Sequence, residues 1–244
     1  MNAKLILTHS YLSECPKRQP RMPRARFVNY YRELFALRNE KVDINTFMQG
    51  SQYSYTELGD AVLKQYVSHH NPHEIDLMLL VVWSHEFDPD YASCTAYFSH
   101  QYHIDAEIVD VCDNGILGIY SAFHLLKKYI DRSNMNVALM LVLEQVSIPT
   151  KNQFKYFPRY DFGFALRIEK RNENELNNQL VLVNSSISSR IESFGINIHS
   201  HQGCYELANV LHQYVHQSNS INACIIQQDC ESENIGYLQL RRAS

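Results

Sequence analysis

The sequence predicts a layered α/β protein with helices on both faces of its sheet. Ile75 to Trp83 ("IDLMLLVVW") and Val137 to Leu143 ("VALMLVL") are almost continuous apolar runs of strand length. Such runs suit strands covered on both sides rather than half-exposed ones. Segments with apolar residues at helical spacing lie around them, so the first half of the chain reads as an αβαβαβ alternation. With 244 residues, 45% of them hydrophobic, the chain can bury one large core or two smaller fused ones.

Taken in order, Lys4 to Thr8 is a short apolar run that predicts a strand. A basic stretch follows, Lys17, Arg18, Arg21, Arg24 and Arg26, interrupted by Pro16, Pro20 and Pro23. The prolines favour a solvated loop over a groove-reading helix, with an acidic partner or a phosphate-bearing acyl carrier as the other reading. Arg26 to Leu37 and Tyr55 to His69 predict helices, the second carrying Leu58, Val62 and Tyr66 every four residues and stopping near Pro72. After the buried run at 75–83 and the loop signal Asp88, Pro89, Asp90, Tyr91 to Tyr102 reads as a small-residue helix. Ala106 to Cys112 is a short strand and Ile116 to Ile130 a strong helix with Ile119, Phe123, Leu126 and Ile130 on one side. In the second half, Phe162 to Glu169 and Gln179 to Asn184 predict two adjacent strands joined by the polar loop "KRNENELNN". A polar segment, "SSISSRIESFG", leads to a helix over 204–216 and two closing strands, Ala223 to Gln228 and Tyr237 to Arg241.

Composition narrows the function. A net charge of −4 and a pI near 6.3 argue against general nucleic-acid binding, which needs a strongly basic face. Sixteen tyrosines are not interleaved with a basic stripe and fit core and interface positions better than a stacking platform. No stretch approaches the roughly 18 apolar residues of a membrane helix, and no signal peptide is evident, so a cytoplasmic protein without a membrane span is expected. The six cysteines, Cys15, Cys94, Cys112, Cys204, Cys224 and Cys230, form no CxxC pair, so free thiols are expected. His69, His70 and His73, like His199 and His201, lack carboxylate or cysteine partners at metal-ligand spacing except Cys204. They read as surface histidines, and neither a metal nor a cofactor is expected.

The stretch "IVDVCDNGILGIYSAFHLLKKYI", residues 108–130, carries the chemical question. A strand runs into a turn and then into a long helix, which is where an elbow presents a nucleophile. Cys112 lies in that turn. A helix N-terminus just beyond Asn114 would help its thiolate, whereas the adjacent Asp113 would oppose it. Asp110 and Asp113 read either as an acid pair or as caps for the following helix.

The segment order "IDLMLLVVW", "AEIVDVCDNGILGIYSAFHLL", "NVALMLVLEQVS" and "YDFGFALRI" resembles the ketoacyl-ACP synthase III branch of the thiolase superfamily over about residues 50–170. "GCYELANVLHQYV" and "INACIIQQDCESENIGYLQLRR" resemble its last helix and closing strands. The resemblance implies a degenerate thiolase-like fold, layered αβαβα, as one compact unit: an N-terminal half over 1–170 and an abbreviated C-terminal half over 171–244. It also implies a catalytic cysteine five residues after the strand aspartate; counted from Asp110, that position holds Gly115. Glycine has no side chain to attack a thioester. The histidine-bearing segment expected from the second half has no room between about 170 and 200. The asparagine motif is replaced around Gln202 and Gly203, and His201 with Gln202 stands one element too late to match the family's histidine motif.

The same shared losses make the chain similar to the inactive small subunit of the heterodimeric enzyme that condenses alkylquinolone signals. That resemblance implies a pseudo-ketosynthase with no catalytic residue of its own, paired as a heterodimer or heterotetramer with an active ketosynthase III-like subunit. The partner would bind the acyl-CoA or acyl carrier and condense the acyl group with a β-keto acid. Two other readings stay open: an acyltransferase using Cys112 as a relocated nucleophile, and a homodimeric acyl-binding protein.

Overall fold

The computed structural model describes residues 3–37, 39–41, 43, 45, 50–83, 93–112, 115–132, 134–147, 158–172, 176, 179–188, 196–198, 204–217, 222–228 and 235–242. Among the described residues nine strands and five helices are delimited: β1 Ala3–Glu14, α1 Ala25–Ala36, α2 Tyr55–His69, β2 Leu77–Val82, α3 Cys94–Tyr102, β3 Glu107–Val111, α4 Gly118–Arg132, β4 Val137–Glu144, β5 Phe162–Asn172, β6 Leu180–Ser188, β7 Ile196–Ile198, α5 Tyr205–His216, β8 Asn222–Gln228 and β9 Ile235–Arg242. The strands form one sheet in the order β3-β2-β4-β5-β1-β6-β9-β8-β7.

That order contains an internal repeat. In the first half β2 runs parallel to β4, β4 antiparallel to β5, and β5 antiparallel to β1. In the second half β7 runs parallel to β8, β8 antiparallel to β9, and β9 antiparallel to β6. The halves meet where β1 and β6 pair antiparallel through Leu5, Ile6 and Leu7. In the first half the crossover from β2 to β4 includes α3, β3 and α4, whereas among the described residues the one from β7 to β8 holds α5. Only seven residues separate β6 from β7, too few for a counterpart of the 15-residue α2. The second half is therefore abbreviated by whole elements.

Packing makes the layers. α4 lies between the halves of the sheet, against β2 and β3 on one side and β6 and β9 on the other. It shares one core with α5, built from Val81, Phe123, Leu126, Met140, Phe164, Leu207, Leu211 and Leu238. A second core on the outer face of the first half joins α2 and α3 to Met78, Leu80, Leu139 and Leu141. Alternate residues of β2 and β4 thus enter different cores, which is why those runs are apolar at every position. Among the described residues, no helix covers the outer face of the second half.

Local signals explain the ends of α2. Ser54 accepts from the Glu57 backbone N–H and the Glu57 carboxylate accepts from the Ser54 N–H, a reciprocal cap. Arg18 donates to both oxygens of Glu57 at 2.8 and 3.0 Å and lies over the Tyr53 ring, pinning the basic loop there. At the far end, buried Arg167 donates to Glu169, Tyr66 and Glu74, so the charge is paired as its burial requires. Gly163 on β5 admits α2 closely: a Cβ there would stand 2.4 Å from the Leu58 carbonyl oxygen.

Three expectations change. The strands expected at 162–169 and 179–184 are not neighbours, because β1 pairs with β5 along its whole length and with β6 on its other edge. β1 itself runs to Glu14, well past the expected Thr8: its polar residues Thr8, His9 and Ser10 hide the strand from an apolar count. The short β7, Ile196–Ile198, follows "SSISSRIESFG" directly, where no strand was expected.

Candidate functional site

The parallel strands β2, β3 and β4 end at one edge of the sheet, where ligand sites of α/β proteins form. β3 leads into the half-buried Cys112, and beyond residues 113 and 114 the chain resumes at Gly115 in a 3-10 turn, Gly115–Leu117, which feeds α4. Asp110 is exposed within β3 opposite Leu80, so it does not cap α4 as read from the sequence. Asp113, His199, His201, Gln202, Gly203 and Cys230 lie outside the described residues.

Gly115, at the expected nucleophile position, has φ +50°, the left-handed region that favours glycine. Among the described residues a Cβ there would meet the indole of Trp83, at 3.6 and 3.7 Å, an ordinary contact. Trp83, buried just past the end of β2, is the side chain that faces this position.

The second half delivers a different thiol to this place. Cys204, at the N-terminus of α5, is fully buried, with its sulfur 3.6 and 3.8 Å from the Gly115 and Ile116 carbonyl oxygens. Its backbone N–H donates to both oxygens of Glu144, the last residue of β4, at 2.8 and 2.9 Å. Burial pushes the Glu144 carboxyl up to about 8 despite those hydrogen bonds, so it is protonated in neutral solution. Burial also pushes the Cys204 thiol well above its usual range. A thiol so held is a poor nucleophile. The Tyr120 hydroxyl is fully buried nearby, also pushed upward by burial, and has no hydrogen-bond partner among the described residues.

A pocket of about 440 Å³ opens beside these residues, lined by Glu14, Cys15, Arg18, Arg159 and Asp161 among others. The Asp161 carboxyl accepts from the Val146 N–H and is raised by burial, and burial pushes the Cys15 thiol up to about 11. Tyr160 stacks on Tyr205 with ring centroids 4.2 Å apart, and the Tyr205 hydroxyl donates to Glu14, joining the pocket wall to the start of α5.

The histidines divide. His70 packs on His9 and hydrogen-bonds the Tyr11 hydroxyl, whereas His73 faces an open depression with His100 and His103. Among the described residues no three His, Cys, Asp or Glu side chains converge as metal ligands. None of the five described cysteines is in a disulfide.

Neither a protein-family model nor a curated protein matches the sequence. Solved structures match along its length. The acyltransferase ChlB3 superposes with a TM-score of 0.64 at 10% identity, covering 99% of this chain and 98% of that one. The tetronic acid condensing enzyme AbyA1 gives 0.56 at 12% identity with the same coverage. OleA of Xanthomonas campestris gives 0.61 at 9% identity, with 98% of each chain covered. The fold is that of the thiolase-like condensing enzymes. The strand, turn and helix around Gly115 are legible in the sequence, whereas the joining of Glu144 to Cys204 is not. Its one visible signal was an acidic residue closing an otherwise apolar strand, "VALMLVLE".

Proposed function

We propose that this chain is a non-catalytic, condensing-enzyme-like subunit. It pairs with an active ketoacyl-ACP synthase III-like subunit and supports acyl transfer and condensation in the making of alkylquinolone-like signals or related specialised metabolites. The observation that carries this reading is the elbow: Gly115 offers no nucleophile, and the space before it holds the Trp83 indole. The nearest buried thiol, Cys204, is closed in and hard to ionise. The acyl-CoA or acyl carrier is then bound and attacked on the partner.

The edge strand β3 is the surface this reading assigns to the partner. Glu107 and Asp110 are exposed along it, Val109 is half-buried, and β2 occupies only one of its edges. Val111 belongs to the core, so a charge there would unfold the subunit rather than test pairing. Val109→Asp is the suitable variant, and co-purification with the active subunit should be lost while the fold survives.

Intact-mass spectrometry after incubation with an acyl-CoA, with the chain alone and with its candidate partner, tests the reading. Acyl mass confined to the partner, with both chains co-eluting, supports it. Acylation of Cys112 or Cys204 in the isolated chain overturns it and makes the chain an acyltransferase.

A further inference from the structure

The segment before α2 differs in charge from the rest of the molecule. Residues 17–41 contain eight of the 22 Lys and Arg residues and only two of the 26 Asp and Glu, in a chain whose net charge is −4. Residues 15–24 form no helix or strand and hold four of these cations: Lys17 and Arg18 line the pocket beside Cys15, while Arg21 and Arg24 are exposed on the approach to α1.

The same segment holds the exposed apolar surface. Five large hydrophobic side chains are exposed among the described residues, and four belong here: Met22 at 76%, Tyr30 at 46%, Leu34 at 38% and Leu37 at 83%. Tyr30, Leu34 and Leu37 recur at i, i+4 and i+7 and make one stripe. Phe27, Val28 and Tyr31 form a separate buried cluster with Phe35 on the neighbouring face. The helix is thus apolar over a wider arc than the protein covers.

We infer that this basic, apolar-tipped segment is a docking surface for an anionic lipid bilayer. Arg21, Arg24 and Arg26 are exposed in the same segment as Met22, and their charges suit anionic headgroups. Met22 and Leu37 protrude almost wholly, which suits insertion into the soft headgroup boundary, and the Tyr30 ring suits its mixed polarity. Association is peripheral: no described helix is long and apolar enough to cross a membrane. The lipid surface would hold the subunit beside long-chain acyl substrates without touching the elbow.

The test is co-sedimentation of the full chain with phosphatidylcholine vesicles, with and without phosphatidylglycerol. Binding is expected only with the anionic lipid and falls with salt. Arg21→Glu with Arg24→Glu should weaken it by about five-fold for each cation lost, and by more because charge is reversed. Leu34→Glu with Leu37→Glu should weaken it at least as much, and since all four positions are exposed, each variant should keep the wild-type circular dichroism spectrum. Wild-type chain left in the supernatant with anionic vesicles overturns the inference. So does binding that ignores the leucine pair, or an effect of these variants confined to self-association or to an acidic protein partner. Pairing at β3 and acylation at the elbow depend on other residues, so either proposal can fail while the other stands.

Discussion

The Cys204 backbone N–H donates to both carboxylate oxygens of Glu144, across 60 residues of sequence. This contact fastens the first turn of α5 to the end of β4, beside the elbow where the Cys204 thiol meets Gly115 and Ile116. The two halves of the molecule are therefore locked together at the turn that joins β3 to α4.

Glu144 should make stability fall as pH rises. Its folded-state value, about 8, lies above the ordinary 4.5, so its contribution is fully present below about 4.5 and is lost as pH passes through about 8. The loss is on the order of a few kcal/mol. Thermal unfolding across this range should show the slope in the wild type and a flatter profile in Glu144→Gln. Equal slopes would remove Glu144 as the cause.

Three histidines act in the opposite direction. Burial lowers His9, His70 and His212, and nearby positive groups add to this, Arg167 beside the first two and His216 beside the third. Their stabilising contribution is present above about 6.5 and lost as pH falls through their lowered folded values. His212 shares a 2.9 Å hydrogen bond with Ser10, joining α5 to β1. His212→Gln should shallow the acid limb of the unfolding profile, and an unchanged limb would show that His212 does not contribute.

The cysteines should separate by reactivity. In the native chain iodoacetamide should modify half-buried Cys112 and leave buried Cys204 untouched until denaturant is added. Peptide mapping reads both. Early modification of Cys204 would mean that the start of α5 opens readily.

Two glycines should tolerate alanine very differently. Gly115→Ala meets no clash and carries only the left-handed backbone cost, about 1 kcal/mol. Gly163→Ala drives a methyl against the Leu58 carbonyl and should cost about 1–3 kcal/mol or more. Denaturant unfolding ranks them, and the emission of Trp83, the chain's single tryptophan, reports the elbow directly. A larger loss at Gly115 would contradict the room seen in front of it.

The sequence by itself determined the element types, the helix over 55–69 with its boundaries, and the two strands buried on both faces. Periodicity and uninterrupted apolarity are local properties that survive without knowledge of neighbours. It also showed the turn between β3 and α4, with Gly115 in it, since that depends only on adjacent segments. Tertiary structure alone decided that β1 separates β5 from β6, that the short β7 pairs with β8, and that Cys204 enters the first half's elbow. Strand pairing, and the burial of a carboxylate beside a thiol, arise from contacts between segments distant in the chain. The energies that fix them, backbone hydrogen bonding and loss of water, belong to the pair and leave no pattern in either segment.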